Sequence, residues 1–313
     1  KIDNFIDLAS EAVLHFENSL KLKKKIFAND ELALVSGYNN VGSLYKRLGY
    51  FEESLKCFAR VEEILIKNNS ENNYSILLLN KANLLKDLGR NEEALINYNK
   101  AIDIEKRNSN FQTLANLYNN IGNIYLTQLN YCEALKQYNK CINIRRINNI
   151  NEDPTVYNNI GLCYFNLRDF VNALNYFEIA LSLNLKLNPN DNAELTETHI
   201  NLSELYLGEK KYDKFEYYIN KSLQMLEKTY ENTNPLYIRA LRLKANYYVQ
   251  QNNFSEAENY YNLALSSFEN NDLRPFSEEL TYLHISSEKA ELLKLRAQKM
   301  NRPEDLISAL EIY

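Results

Sequence analysis

At 313 residues, 45% hydrophobic and 25% charged, the chain is a folding sequence too long for one ordinary globular core, so two domains or a repeat array are expected. A net charge of -5 and a pI near 5.5 argue against a nucleic-acid footprint. With no run of eighteen apolar residues and no recognisable leader, no membrane association is expected, and four cysteines without CxxC spacing (Cys57, Cys132, Cys141, Cys163) read as reduced cytoplasmic thiols rather than disulfides or zinc ligands.

The predicted elements are all helical. Residues 1–29 read as the second helix of a preceding repeat, because EAVLHFENSL matches EALKQYNKCI and sets Ala12 and Phe16 against Ala134 and Tyr138. The basic run Lys21–Lys25 is the solvated part of that helix. Six two-helix units follow, at 30–70, 71–109, 110–149, 150–188, 189–231 and 232–271, and an irregular, truncated seventh occupies 272–313. Their first helices share a small column, Gly42, Ala82, Gly122, Gly161, Ser203 and Ala245, spaced 39 to 42 residues apart. Twelve residues after each comes a second column, Ser54, Ala94, Ala134, Ala173, Phe215 and Ala257. Large residues stand four before and three after the small column, as in Tyr118 and Tyr125. Four residues after the second column stand Phe58, Tyr98, Tyr138, Phe177, Ile219 and Tyr261. The i, i+4, i+7 spacing makes one apolar stripe per helix. Small residues facing large ones let the paired helices approach closely. Phe215 breaks its column and predicts a local splay between the fifth and sixth units.

These columns resemble the tetratricopeptide repeat (TPR). The resemblance covers essentially the whole chain and implies an all-α helix-turn-helix solenoid, a right-handed superhelix. The common repeat is 34 residues with a closing proline; here Ile66, Lys106, Arg146, Leu185, Glu227 and Glu269 hold that place, so each second helix is expected to run on by about one turn. Such longer repeats resemble those of kinesin light chains, spindle-orientation adaptors and bacterial regulators. Pro154, Pro189, Pro235 and Pro275 each precede a predicted first helix, and Pro303 marks the last turn.

The phrases YNNVGSLY (38–45), YNNIGNIY (118–125) and YNNIGLCYF (157–165) place asparagine before glycine within helix, although Asn costs about 0.5 and Gly about 1 kcal/mol relative to Ala there. Close packing accounts for the glycine. Two before the small column stand Asn40, Asn80, Asn120, Asn159 and Asn201; one after it stand Asn83, Asn123 and Asn246. Residues three apart share a helix face, so both columns form a polar stripe. A primary amide matches a peptide bond whatever its side chain, and the family resemblance implies that such asparagines on the inner wall clamp extended peptides. The alternative role for the same stripe is packing between repeats. Lys46, Lys86, Arg239 and Arg242 join the candidate ligand-binding set as groups that favour acidic ligands, with Arg47 beside them.

No catalytic residue, metal ligand or cofactor site is expected. Of three histidines, His15 and His284 lie in helices without a catalytic partner, and His199 takes a core column; GK[ST], GxSxG and HExxH are absent. The expected function is a cytoplasmic protein-protein interaction module, binding an extended peptide or a partner protein on the Asn-lined groove as the sensor or scaffold of a larger protein. The closing sequence KAELLKLRAQKMNRPEDLISALEIY resembles the lead-in from TPR repeats to caspase-like CHAT protease domains. That resemblance implies a second possibility, the regulatory arm of a cysteine protease. A third is a peptide-pheromone receptor like those of bacterial regulators.

Overall fold

The computed structural model describes residues 2–27, 30–68, 70, 73–187, 193–229, 234–268 and 276–312, and among them every regular element is a helix. The chain divides into two units, 1–152 and 153–313. The first contains α1 (Ile2–Ile26), a 3-10 turn (Glu31–Leu34), and the pairs α2/α3 (Val35–Arg47, Phe51–Lys67), α4/α5 (Tyr74–Asp87, Asn91–Arg107) and α6/α7 (Phe111–Thr127, Tyr131–Ile147). The second contains α8/α9 (Pro154–Asn166, Phe170–Leu187), α10/α11 (Ala193–Gly208, Tyr212–Thr229), α12/α13 (Pro235–Gln250, Phe254–Ser266) and α14/α15 (Phe276–Met300, Glu304–Ile312). Within each unit the helices are antiparallel hairpins stacked on their sequence neighbours.

Each hairpin closes on three residues. Where α2 ends, the Tyr50 amide donates to the Tyr45 carbonyl and the Gly49 amide to Lys46, the bond pattern of a Schellman cap. The same backward bond recurs from Arg90 to Leu85, Asn130 to Tyr125, Asp169 to Tyr164, Lys211 to Tyr206 and Asn253 to Tyr248. The middle residue of the turn is left-handed. Gly49 and Gly89 adopt this at φ of 81° and 73°, whereas Leu129 is held there at 59°, a conformation that costs an L-residue about 1–2 kcal/mol. Asparagine does separate work at helix starts: the side chains of Asn110, Asn130 and Asn253 accept from the backbone amides of Thr113, Glu133 and Glu256. Pro154 and Pro235 take the first helical position of α8 and α12; Pro189, Pro275 and Glu269 lie outside the described residues, and so does Tyr313.

Packing inside each hairpin explains the glycine. A Cβ on Gly122 would stand 2.5 Å from the Tyr138 ring, one on Gly161 would stand 2.5 Å from Phe177, and one on Gly42 would stand 2.8 Å from Phe58. In the first pair Ser54 replaces the usual alanine and its hydroxyl donates to the Gly42 carbonyl at 2.7 Å. Without the closing proline, α3, α5 and α7 reach 17 residues and α9 and α11 reach 18, while α13 stops at 13.

The second unit adds a stack in each of its first three hairpins. Tyr164 lies on Tyr176, Tyr206 on Tyr218 and Tyr248 on Tyr260, with ring centroids 5.5–5.7 Å apart and planes within 14° of parallel. Phe215 is fully buried and stacks on Tyr247 at 4.9 Å. The α11–α12 seam beside it is less closely apposed than the α9–α10 seam. The last hairpin is pinned by charge: Arg296 donates through Nε and Nη2 to the two carboxylate oxygens of Asp305, both at 2.7 Å, and through Nη1 to Glu258 on α13 at 2.6 Å. Both Arg296 and Asp305 are buried, and the Arg296 guanidinium holds Asp305 below the usual carboxylate range.

Gly122→Ala should push the Tyr138 ring off its seat and cost about 1–3 kcal/mol, read as a lower urea midpoint. Gly208→Ala, in the last turn of α10 with nothing within 4 Å of its added Cβ, should instead raise the midpoint by up to about 1 kcal/mol of helix propensity.

Candidate functional site

The first helices α2, α4 and α6 in one unit, and α8, α10 and α12 in the other, carry the asparagine columns. The column just after the small residue turns inward. The phenol hydroxyl of Tyr98 donates to Asn83 Oδ1 at 2.6 Å, Tyr138 donates to Asn123 at 2.8 Å, and Tyr261 bonds Asn246 in the same way. These rings belong to the large column of the second helix, fifteen residues further on. Where that column is Phe58, Phe177 or Ile219 there is no hydroxyl to satisfy, and its partner position is Ser43, Leu162 or Glu204. Asparagine appears here only opposite tyrosine. A buried hydroxyl without a partner costs about 1–3 kcal/mol, which is reason enough for the pairing.

The column two before the small residue divides between the units. Asn40 is exposed and Asn80 half-buried, and neither amide is hydrogen-bonded to a described residue. Asn120 is half-buried and its Nδ2 makes a long 3.4 Å contact with Asn83 Oδ1. In the second unit Asn159 is buried, and Asn201 is 1% exposed. Asn201 donates to Asn158 Oδ1 at 2.9 Å and accepts from Arg239 Nη2 at 2.8 Å. Asn201 therefore joins three successive hairpins.

The charged candidates are engaged within the protein. Lys46 pairs with Asp87 at 2.9 Å, and Lys86 lies 3.6 Å from the same carboxylate. Arg239 reaches Glu204 at 2.5 Å, and Arg242 reaches Glu288 at 2.9 Å. Arg47 is exposed at the end of α2. An acidic ligand would have to compete with these carboxylates.

One further position matters that sequence reasoning passed over: the first asparagine of each doublet. Asn39 and Asn158 are 6% and 3% exposed. Asn158 is paired with Asn201, while the side-chain oxygens of Asn39 and Asn119 are enclosed without a hydrogen-bond partner. The YNN doublet itself was the available signal. Beside Arg239, half-buried Glu197 is pushed up by burial, with Arg239 opposing the shift. Among the described residues no three His, Cys, Asp or Glu side chains converge on a metal-sized site, and no helix is long and apolar enough to cross a membrane.

His199 sits in the core column of α10, its ring 5.6 Å from Tyr218 and its Nδ1 enclosed without a partner. Burial, helped by Lys221, lowers its pKa to about 4.

With this geometry, family models described as "Tetratricopeptide repeat" match residues 35–64, 73–147, 154–187 and 194–270, more than half of the chain. The chain belongs to the tetratricopeptide repeat family. Its fold is similar to that of the quorum sensor NprR from B. thuringiensis in the apo form, with a TM-score of 0.69 at 15% identity over 97% of this chain and 84% of that one. Apo RapI gives 0.67 at 17%, covering 89% and 97%. The STAND protein PH0952 from Pyrococcus horikoshii, described as having a tetratricopeptide repeat sensor, gives 0.66 at 20%, covering 84% of this chain and 41% of that one. No curated protein matches the chain in sequence.

Two outcomes test this TPR wall. A double-mutant cycle of Asn83→Ala and Tyr98→Phe should show coupling of about 0.5–1.5 kcal/mol in urea denaturation; additive effects would mean the bond contributes nothing. For His199 the folded pKa of about 4 lies below the unfolded reference of 6.5. The unfolded chain therefore takes up the proton first. Stability is complete above pH 6.5 and falls as pH drops toward 4, by at most about 3 kcal/mol. His199→Tyr should flatten that part of the pH–midpoint curve.

Proposed function

We propose that the chain is a non-catalytic protein-interaction module of the sensor or scaffold type, binding an extended peptide or partner segment along the first helices. The observation that carries this is the row Asn40, Asn80 and Asn120 in the first unit: three amides at 40-residue intervals, two of them with no hydrogen bond to any described residue. An amide donates and accepts, so each can pair with one peptide unit of a strand laid across α2, α4 and α6. The enclosed oxygens of Asn39 and Asn119 stand next to this row. In the second unit the equivalent amide, Asn201, serves as an internal tie, so the clamp is assigned to α2–α6 and the second unit to support. NprR is described as a quorum sensor and the PH0952 repeats as a sensor, and a receptor role here accords with both.

The regulatory arm of a caspase-like protease is the second reading. It rests on the resemblance of the closing sequence and on the Arg296 clamp, which ties α15 rigidly through α14 to α13 and would carry a shift in the repeats to anything joined there.

The test is a photo-crosslinking amino acid at position 80, used to capture the ligand from native lysate and identify it. With that ligand, Asn40→Ala/Asn80→Ala should weaken binding tenfold or more at an unchanged melting temperature. Asn201→Ala should do the reverse, lowering the melting temperature by several degrees. Equal losses of binding and melting temperature in both variants would make the whole column a packing device and end the clamp reading.

A further inference from the structure

The second helices of the first two hairpins carry the same four-residue stripe on one face: Arg60, Glu63, Ile64 and Lys67 on α3, and Lys100, Asp103, Ile104 and Arg107 on α5, forty residues later. Positions i, i+3, i+4 and i+7 lie above one another on a helix. On α3 the two cations are bridged. Glu31, from the 3-10 turn, places one carboxylate oxygen 3.3 Å from Arg60 Nη2 and the other 2.9 Å from Lys67 Nζ. The Lys67 ammonium holds Glu31 below the usual carboxylate range.

On α5 no described residue bridges the equivalent cations. Lys100 and Arg107 are exposed and make no hydrogen bond or ion pair with any described residue, and Asp103 is unpaired as well. They edge a cleft of about 590 Å3 between α5, the end of α3 and the start of α4, within the range of small ligand sites, about 300–1,000 Å3. Its floor is apolar. Leu65 and Leu78 are buried beneath it, Ile104 and Tyr74 are half-buried, and Ile66 stands 63% exposed at its rim. Tyr74 packs against two core clusters of this unit, so the cleft opens where those clusters meet. It is built from two second helices, Ser70 and the start of the first helix α4, and none of its lining residues belongs to the asparagine row.

We propose that this cleft binds a short segment of a partner protein carrying a carboxylate and a neighbouring aliphatic side chain, the carboxylate bridging Lys100 and Arg107 as Glu31 bridges Arg60 and Lys67, and the aliphatic group covering Ile66, Tyr74 and Ile104. Two unpaired cations seven residues apart over an apolar floor are complementary to that pair of groups. A purely acidic ligand would leave the floor wet, and a purely apolar one would leave the cations unanswered.

The chain supplies its own probe, the hexapeptide of residues 30–35, DELALV, which holds Glu31 and two leucines. A fluorescein-labelled, end-blocked DELALV peptide is titrated by anisotropy against the 313-residue protein and against three variants checked by circular dichroism. Lys100→Glu/Arg107→Glu removes the cations, Ile66→Asp spoils the floor, and Glu71→Ala deletes the chain's own carboxylate forty residues after Glu31, which lies outside the described residues. Saturable binding to the parent and to Glu71→Ala is expected. At least tenfold weakening is expected in the other two variants and for the peptide DKLALV. Equal affinity for parent and Lys100→Glu/Arg107→Glu would overturn the proposal. Binding to Glu71→Ala alone would also overturn it, by giving the cleft to the chain's own Glu71, and so would absence of saturable binding to either.

Discussion

The hairpins of this chain hang on the contact between a residue with little or no side chain in the first helix and a large one in the second, a ring in every pair from α2/α3 to α12/α13 except α10/α11, where it is Ile219. Gly122 against Tyr138, Gly161 against Phe177 and Gly42 against Phe58 leave no space for even a methyl group. That contact sets the distance between paired helices, and hairpins of the same depth can then stack. Where Ala82 or Ala245 takes the small position opposite Tyr98 or Tyr261, the rings are still fully or nearly fully buried, so the packing survives modest variation. Poor helix propensity is offset by dense packing, which a close-packed interior rewards atom by atom.

Placing tyrosine rather than phenylalanine at the centre of a hairpin creates a second obligation, an enclosed hydroxyl. Asn83, Asn123 and Asn246 meet it. Three roles of asparagine in this protein bear on the site: capping helix starts, accepting from tyrosine, and lining the first helices. Only the third leaves an amide available to a ligand, and it does so at Asn40 and Asn80 in the first unit.

The two units handle polarity differently. In the first, the wall is rich in amides, and Lys46 and Lys86 share the single carboxylate of Asp87. In the second, half-buried Arg239 and Glu204 and buried Asn201 and Asn158 form a continuous network, and stacked tyrosines line the first three hairpins. A network of this kind specifies register between hairpins, because any slip would leave a half-buried charge or a buried amide unpaired. It suits a support better than a binding face.

The sequence by itself determined the helix-turn-helix repeat, the columns that face each other and the reason for the glycine, because these follow from helical periodicity and side-chain size, both local. It also carried the long second helices α3, α5, α7, α9 and α11, through the missing proline, though not the shorter α13. Tertiary structure alone decided what each polar side chain does. Asn80 and Asn201 hold the same column; one is open and the other is locked by Arg239, since the outcome depends on the residue that the neighbouring hairpin brings against it. For the same reason Lys46, Lys86, Arg239 and Arg242 read as free cations in the sequence, while Asp87, Glu204 and Glu288 claim them in the fold. Hydrogen bonds between hairpins join residues some forty positions apart, a separation at which no local pattern announces the partner.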